Sequence, residues 1–215
     1  MKEQPRDGIV LIGGASGIGK SRAAAQLAEE SKAFVVEFDD VVEAVHAITT
    51  AAHHPDLHLF DGVPDSDLSA ERVLDLQIAT ARALEPAVLG VVRNRLTVDV
   101  PAVIEGDYLT PAAAARAVAE GAAAGRDVRA VFLHEDDPEQ ITANYTSREP
   151  DSGVQAERAE VSAAYGRWLG REAALHALPV VASRPWSTLV PRIRQALGGE
   201  YDEGQYDEGG AATPW

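Results

Sequence analysis

The chain has 215 residues, of which 46% are hydrophobic and 25% are charged, and its formal net charge is -15 at pH 7. The length suits one α/β domain with a sizeable core, the proportions are typical of a soluble globular protein, and the negative charge disfavours nucleic acid and anionic membranes as partners. The chain has no cysteine, which excludes disulfides, thiol catalysis and cysteine-based zinc sites. A polar N-terminus and the lack of an apolar run of about 20 residues predict a cytoplasmic protein with neither a signal peptide nor a membrane span.

The first predicted strand leads directly into a glycine-rich motif. Apolar residues occupy positions 8–12, residues 14–21 fit the pattern G-x-x-x-x-G-K-[ST], and a helix is predicted over 20–30. In this arrangement backbone N–H groups surround a phosphate, Lys20 reaches the β- and γ-phosphates, and Ser21 ligates Mg²⁺. The motif therefore predicts a nucleoside triphosphate site. The residues predicted to bind the nucleotide are Gly14, Ala15, Ser16, Gly17, Ile18, Gly19, Lys20 and Ser21.

Four further strands are predicted to alternate with helices. The apolar runs that predict strands are 33–38, 102–105, 128–133 and 179–182. The stretches that predict helices are 40–52, 69–96, 111–124, 138–147 and 154–177, with a kink or break at Pro86. This alternation predicts a three-layer α/β fold of the P-loop NTPase type, with a five-stranded parallel sheet and helices on both faces. Ligands bind such sheets beyond the carboxyl ends of the strands, so residues just after each strand are candidates for the site.

Acidic residues follow the second predicted strand. Because side chains alternate along a strand, we expect Glu37 and Asp39 on the same side, facing the glycine-rich loop. Asp39 is predicted to orient or deprotonate an acceptor hydroxyl, and Glu37 to support it or to hold a Mg²⁺-bound water. The alternative for Asp39 and Asp40 is capping of the next helix, which is favoured for Asp40 over a contact with substrate.

The third predicted strand also ends in acidic residues. Glu105 and Asp107 follow an apolar run, and an acidic group at this place beside a phosphate-binding loop holds Mg²⁺ or its water ligands. Either residue fits that role, and a purely structural role for both is the alternative.

Arginines of a predicted helical lid over residues 138–160 are candidates for phosphate contacts. Arg148 stands beside a Pro-Asp-Ser-Gly hinge at 150–153 and is predicted to neutralise charge that develops during phosphoryl transfer. Arg158 is the second candidate, and surface ion pairing is the alternative for both. After the fifth strand, Arg184 and Pro185 are predicted to form a wall for the nucleotide base.

Two further segments have less specific patterns. Residues 53–68 are predicted to form a long loop of the kind that often carries function. The histidines in and near it are His46, His53, His54 and His58. Their spacing matches no HExxH-like pattern, so we expect surface or substrate-loop residues rather than metal ligands. One domain is predicted over 1–199, followed at 200–215 by an acidic, disordered tail that repeats Tyr-Asp-Glu-Gly.

Taken together, these residues resemble the P-loop small-molecule kinases. The loop Gly-Gly-Ala-Ser-Gly-Ile-Gly-Lys-Ser at 13–21, Glu37-x-Asp39, Ile104-Glu105-Gly106 and the Arg-bearing lid are similar to shikimate kinase, gluconate kinase, chloramphenicol phosphotransferase and 2-phosphoglycerate kinase. In the shikimate and chloramphenicol enzymes an Asp four residues before a Glu contacts the acceptor hydroxyl, and Asp39 and Glu43 keep that spacing. The resemblance covers residues 8–197.

The resemblance implies a kinase that uses ATP and Mg²⁺ to phosphorylate a hydroxyl of a metabolite, sugar or antibiotic-like compound. An Asn-Lys-x-Asp guanine motif is missing, which favours ATP as the donor, and the Gly-Gly-Arg pattern of shikimate kinase is missing after the third strand. The alternatives are a nucleotide kinase, which needs several arginines around the acceptor phosphate, and a non-catalytic NTP-binding regulatory protein. The sequence defines neither the acceptor nor the oligomeric state.

Overall fold

The computed structural model describes residues 8–64 and 68–198. Within these residues five parallel strands form one sheet in the order β2-β3-β1-β4-β5. The strands are β1 (Ile9–Gly13), β2 (Phe34–Glu37), β3 (Ala102–Gly106), β4 (Val128–His134) and β5 (Val180–Ala182). The helices are α1 (Lys20–Ser31), α2 (Phe38–Ile48), α3 (Ala70–Ala83), α4 (Glu85–Val98), α5 (Pro111–Ala123), α6 (Pro138–Arg148), α7 (Ala156–Leu175) and α8 (Leu189–Ala196). The predicted parallel sheet is confirmed.

Helices cover both faces of the sheet, which confirms the predicted layers. Side chains alternate along β1, so Ile9 and Leu11 pack on one face while Ile12 packs on the other. The first face is covered mainly by α3, α4, α5 and α7, and the second mainly by α1, α6 and α8. Since β1 pairs with β3 on one side and β4 on the other, the loop after β1 emerges at the centre of the carboxyl edge of the sheet.

The start of α2 differs from the prediction. The strand was expected to continue to residue 38 and the helix to begin at 40, but β2 ends at Glu37 and α2 begins at Phe38. Phe38 is fully buried in the core as the first residue of the helix, so its apolar side chain does not belong to the strand. Asp39 and Asp40 consequently lie in the first helical turn. The strand alternation assumed for Glu37 and Asp39 is therefore wrong.

The break predicted at Pro86 is confirmed, and one further helix was missed. The stretch predicted over 69–96 forms two helices, and Pro86 lies in the first turn of α4, where a missing N–H is tolerated. Helix α8 was not predicted, although its buried Leu189, Val190 and Ile193 form an apolar face. The acidic tail lies outside the described residues, as do positions 1–7 and 65–67. Among the described residues, no helix combines the length and hydropathy that a bilayer crossing requires.

Candidate active site

The glycine-rich loop joins the central strand β1 to α1. Gly17 and Gly19 have φ values of 77° and 92°, a left-handed backbone that glycine adopts without strain. Gly17 also packs closely, since a Cβ there would lie 2.8 Å from Cε1 of Tyr145. The first turn of α1 carries no acidic side chain, so the positive end of this helix remains available to an anion.

Lys20 lies at the base of the loop with its side chain 6% exposed. Its Nζ donates hydrogen bonds to the Ala15 carbonyl oxygen over 2.8 Å and to Oδ1 of Asp107 over 2.5 Å. Burial alone would lower the pKa of Lys20, but the negative charges of Asp107, Glu105 and Asp39 outweigh it, and the pKa is raised. The lysine is therefore held as a cation below the loop.

Three carboxylates surround this lysine, from the ends of β3 and the start of α2. The N–H of Asp107 donates to Oδ1 of Asp39 over 3.4 Å. Burial raises the pKa of Asp39, as does the charge of Asp107, while Lys20 opposes them. The pKa of Glu105 is also raised, chiefly by burial. The charge of Lys20 and a hydrogen bond with the Ser21 side chain act in the opposite direction but are outweighed. Three acidic groups with one lysine leave net negative charge next to Ser21, which suits a hard divalent cation.

Helices α6 and α7 are attached to the glycine-rich loop by two side chains that the sequence did not single out. Asn144 of α6 donates from Nδ2 to the Gly17 carbonyl oxygen over 2.8 Å. Ser162 of α7 donates from Oγ to the Ser16 carbonyl oxygen over 2.6 Å. Asn144 is 127 positions from Gly17 in the chain, and Ser162 is 146 positions from Ser16. No local sequence pattern therefore indicates either contact.

Both predicted lid arginines share one acidic partner. Glu149 lies 2.5 Å from Nη2 of Arg148 and 3.0 Å from Nη1 of Arg158. The pKa of Glu149 is lowered to about 2, mainly by its hydrogen bond with Arg148 and next by its hydrogen bond with Gln155. The Arg158 guanidinium also lies over the Tyr145 ring, with Cζ 4.2 Å from the ring centroid. The predicted surface ion pairing is thus present for both arginines.

A cleft of about 150 Å³ opens over the loop. It is lined by Ser16, Gly17, Gly19, Lys20, Ser21, Arg22, Asp39, Glu105, Asp107, Asn144, Arg148 and Trp186. The structure thus brings most of the predicted loop together with Asp39, both candidate metal ligands and Arg148.

Other predicted residues lie elsewhere. Glu37 is the N-cap residue of α2, although no side-chain bond is formed there, so the capping role expected for Asp40 is wrong. Arg184 donates from Nη2 to Oδ1 of Asn144 over 2.6 Å, and its guanidinium lies over the ring of Trp186. Trp186 lines the cleft, whereas Arg184 and Pro185, which were expected to form a wall there, do not. The Arg184–Pro185 peptide bond is cis.

A larger cavity of about 760 Å³ adjoins the cleft and shares Ser16 and Asp107 with it. Among the described residues, its wall combines apolar side chains with three carboxylates and a single arginine, Arg158. The lining residues are Ser16, Phe60, Leu68, Ser69, Ala70, Val73, Gln77, Asp107, Tyr108, Tyr145, Glu157, Arg158, Glu160, Val161 and Ser162.

A phosphate-binding loop after the central strand of a sheet ordered 2-3-1-4-5 defines a P-loop NTPase fold. The AAA domain family matches residues 9–168, and the chain belongs to this family. No curated protein sequence matches the chain.

Solved structures of kinases share the fold. A gluconokinase from Sinorhizobium meliloti 1021 aligns with a TM-score of 0.50 and 15% identity, covering 91% of this chain and 93% of that chain. A shikimate kinase from Bacteroides thetaiotaomicron aligns with a TM-score of 0.50 and 12% identity, covering 88% and 98%. The sequence motifs predicted a resemblance to P-loop small-molecule kinases. The shared fold confirms that resemblance.

Proposed function

We propose that this protein is an ATP- and Mg²⁺-dependent kinase that phosphorylates a hydroxyl group of a small molecule. The observation that carries the proposal is the pair of adjoining cavities. The cleft over the glycine-rich loop contains Lys20, and the 760 Å³ cavity meets it at Ser16 and Asp107. A protein that only binds nucleotide has no need of a second cavity beside its phosphate loop, whereas a phosphotransferase must hold an acceptor there.

The residues of the cleft fit a nucleotide and its metal ion. When bound, ATP supplies the γ-phosphoryl group and Mg²⁺ neutralises charge on the phosphate oxygens. Ser21 and Glu105 are the residues we assign to the ion, because the serine hydroxyl and the buried carboxylate lie together and both are oxygen ligands. Asp107 is engaged with Lys20, and we assign it to positioning that lysine.

Asp39 is assigned to the acceptor side. In the proposed reaction the acceptor oxygen bonds to the γ-phosphorus, the bond from that phosphorus to the leaving diphosphate oxygen breaks, and the hydroxyl proton passes to Asp39. The raised pKa makes Asp39 a better proton acceptor than an ordinary aspartate. Arg148 lines the same cleft and, by exchanging Glu149 for phosphate oxygens, would neutralise charge that develops there.

The 760 Å³ cavity, which we propose holds the acceptor, favours a neutral or cationic molecule. Asp107, Glu157 and Glu160 place three carboxylates on its wall. Its arginine, Arg158, already donates to Glu149 over 3.0 Å and to Gln155 over 2.7 Å. An acceptor phosphate would therefore meet net negative charge, which disfavours the nucleotide kinase alternative.

Two arginines of the helices before β3 are engaged elsewhere. Arg93 forms hydrogen bonds of 2.8 and 2.6 Å with Glu120, and Arg82 lies over the Trp168 ring with Cζ 5.6 Å from its centroid. Neither lines the larger cavity. The distribution of cationic side chains thus supports a small acceptor without a phosphate group.

The test is an ADP-release screen with the purified full chain. Neutral polyols, amino sugars, hydroxy acids and nucleoside monophosphates are compared at equal concentration, and products are identified by mass. We expect a neutral or cationic alcohol to stimulate ADP release and to gain one phosphoryl group. Lys20→Ala should abolish this activity, while Lys32→Asn, a change at the exposed end of α1, should retain it. Stimulation by none of the compounds, or nucleotide turnover without a phosphorylated product, would refute the proposal.

A further inference from the structure

Two histidines and an aspartate converge at the end of α2, away from the glycine-rich loop. His46 lies in the last turn of α2, His58 ends a 3₁₀ helix at Pro55–Leu57, and Asp61 follows three residues later. Nδ1 of His58 lies 2.7 Å from Oδ2 of Asp61, and Nε2 of His46 lies 3.4 Å from Oδ1 of the same carboxylate. One carboxylate thus faces a ring nitrogen of each histidine.

Both ring nitrogens of His58 have a polar neighbour. Nε2 lies 2.9 Å from the Thr49 hydroxyl oxygen, which itself lies 2.8 Å from the Val45 carbonyl oxygen. Nδ1 lies 2.7 Å from Oδ2 of Asp61. The imidazole is therefore held with one ring nitrogen towards Thr49 and the other towards the carboxylate.

We propose that His46, His58 and Asp61 bind a divalent transition-metal ion of the zinc type. The candidate ligand atoms of the three residues all lie within 4.8 Å of one another. Around a tetrahedral zinc ion with bonds of about 2.0–2.2 Å, ligand atoms lie roughly 3.3–3.6 Å apart. Nε2 of His46 lies at this distance, 3.4 Å, from Oδ1 of Asp61. Nδ1 of His58 lies closer, 2.7 Å from the other carboxylate oxygen, Oδ2, so an ion bound there requires a side-chain adjustment.

The surroundings resemble those of a metal site in two respects. The hydrogen bond between Nε2 of His58 and the Thr49 hydroxyl fixes the imidazole orientation, and metal-bound histidines commonly have such a partner on their second ring nitrogen. The His58 side chain is 5% exposed, whereas His46 and Asp61 are 43% and 51% exposed, so an ion can enter from solvent and keep a water ligand. Imidazole and carboxylate ligands together favour zinc-type ions over Mg²⁺.

A bound ion would fix part of the wall of the 760 Å³ cavity. Phe60 lies between His58 and Asp61 in the chain and lines the 760 Å³ cavity. A metal bridge from His46 to this segment would hold it against α2. The proposed ion is structural and distinct from the Mg²⁺ of the nucleotide cleft, and the inference does not rest on the proposed function.

The test is metal binding by the full chain after chelator treatment and removal of any affinity tag. Co²⁺ is titrated and its visible absorption recorded, and Zn²⁺ binding is measured by calorimetry. We expect one equivalent to bind in the presence of excess Mg²⁺, a tetrahedral Co²⁺ spectrum, and a higher melting temperature with Zn²⁺. His46→Ala and Asp61→Asn should each weaken binding at least about 10-fold. His54→Ala, a change at an exposed histidine of the same loop, should leave binding unchanged.

Circular dichroism of each variant establishes that it is folded, which keeps the comparison valid. The proposal is overturned if neither metal binds, or if His54→Ala weakens binding as much as His46→Ala does. It is also overturned if adding Zn²⁺ leaves the NMR signals of the His58 imidazole unchanged.

Discussion

Replacing Asp39 by asparagine removes a negative charge at the edge of the phosphate cleft and preserves the shape of the side chain. The asparagine Oδ1 can still accept the Asp107 N–H bond of 3.4 Å, so the fold of the site should be retained. Positioned acid–base groups contribute roughly 10²–10⁴-fold to rate. Because phosphoryl transfer is largely dissociative and places a smaller demand on proton removal, we expect a loss of about 100-fold in kcat, equal to about 2.7 kcal/mol.

The variant should separate catalysis from binding and stability. The folded protein disfavours ionised Asp39, as its raised pKa shows, so ionisation destabilises the native state as pH rises through the folded pKa. Asp39→Asn should therefore keep or raise the melting temperature at neutral pH, and the KM for ATP should change by no more than about 2-fold. Steady-state kinetics with the acceptor found by the screen and thermal denaturation measure both effects.

Asp40→Asn is the matched control. Asp40 lies on the same helical turn but lines neither of the two cavities, so its variant should keep kcat within about 2-fold. Equal losses in both variants would show that the change acts through the helix and not through Asp39. Wild-type kcat in Asp39→Asn would refute the role assigned to this carboxylate.

Three further predictions concern the same cleft. Glu105→Gln should raise the Mg²⁺ concentration for half-maximal turnover about 10-fold, and an unchanged requirement in a Mg²⁺ titration would remove Glu105 from the ion site. Gly17→Ala should lower stability by about 1–2 kcal/mol, because the new Cβ meets Tyr145 at a φ of 77°, and an unaltered denaturant midpoint would contradict this. Burial and the charge of Asp107 raise the pKa of Asp39, and the ionised form of Asp39 is the active one in the proposed reaction. As the pH is lowered, kcat should therefore begin to fall at a higher pH than it would with an ordinary aspartate. This acidic decrease should be missing from the pH profile of Asp39→Asn.

The glycine-rich loop could be predicted because its requirements are local. Glycines at positive φ, a lysine and a hydroxyl must follow one another at fixed spacing after a strand, and residues 14–21 satisfy this. The sheet could be predicted because its strands, covered by helices on both sides, are short continuous apolar runs. The error at α2 arose because Phe38 extends such a run, although it is buried as a helical residue. Helix α8 was missed because it has only eight residues and contains Pro191.

Contacts between distant parts of the chain could not be predicted in this way. Asn144 and Ser162 attach α6 and α7 to carbonyl oxygens of the glycine-rich loop, and a single sequence carries no periodic signal for such pairs. The same limit explains the histidine cluster. His46 and His58 are twelve residues apart, and only the turn after α2 brings them to Asp61. Spacing rules detect metal ligands on one helix or hairpin, which these are not.

The central claim is that the phosphate held by the loop is transferred to a small acceptor. Its most direct test follows radiolabelled γ-phosphate from ATP, with ADP measured in the same reaction, for the wild type and for Lys20→Ala. The proposal predicts that label appears in the acceptor in equal amount to ADP, and that Lys20→Ala forms neither. Label released only as inorganic phosphate, or equal product from Lys20→Ala, would contradict it.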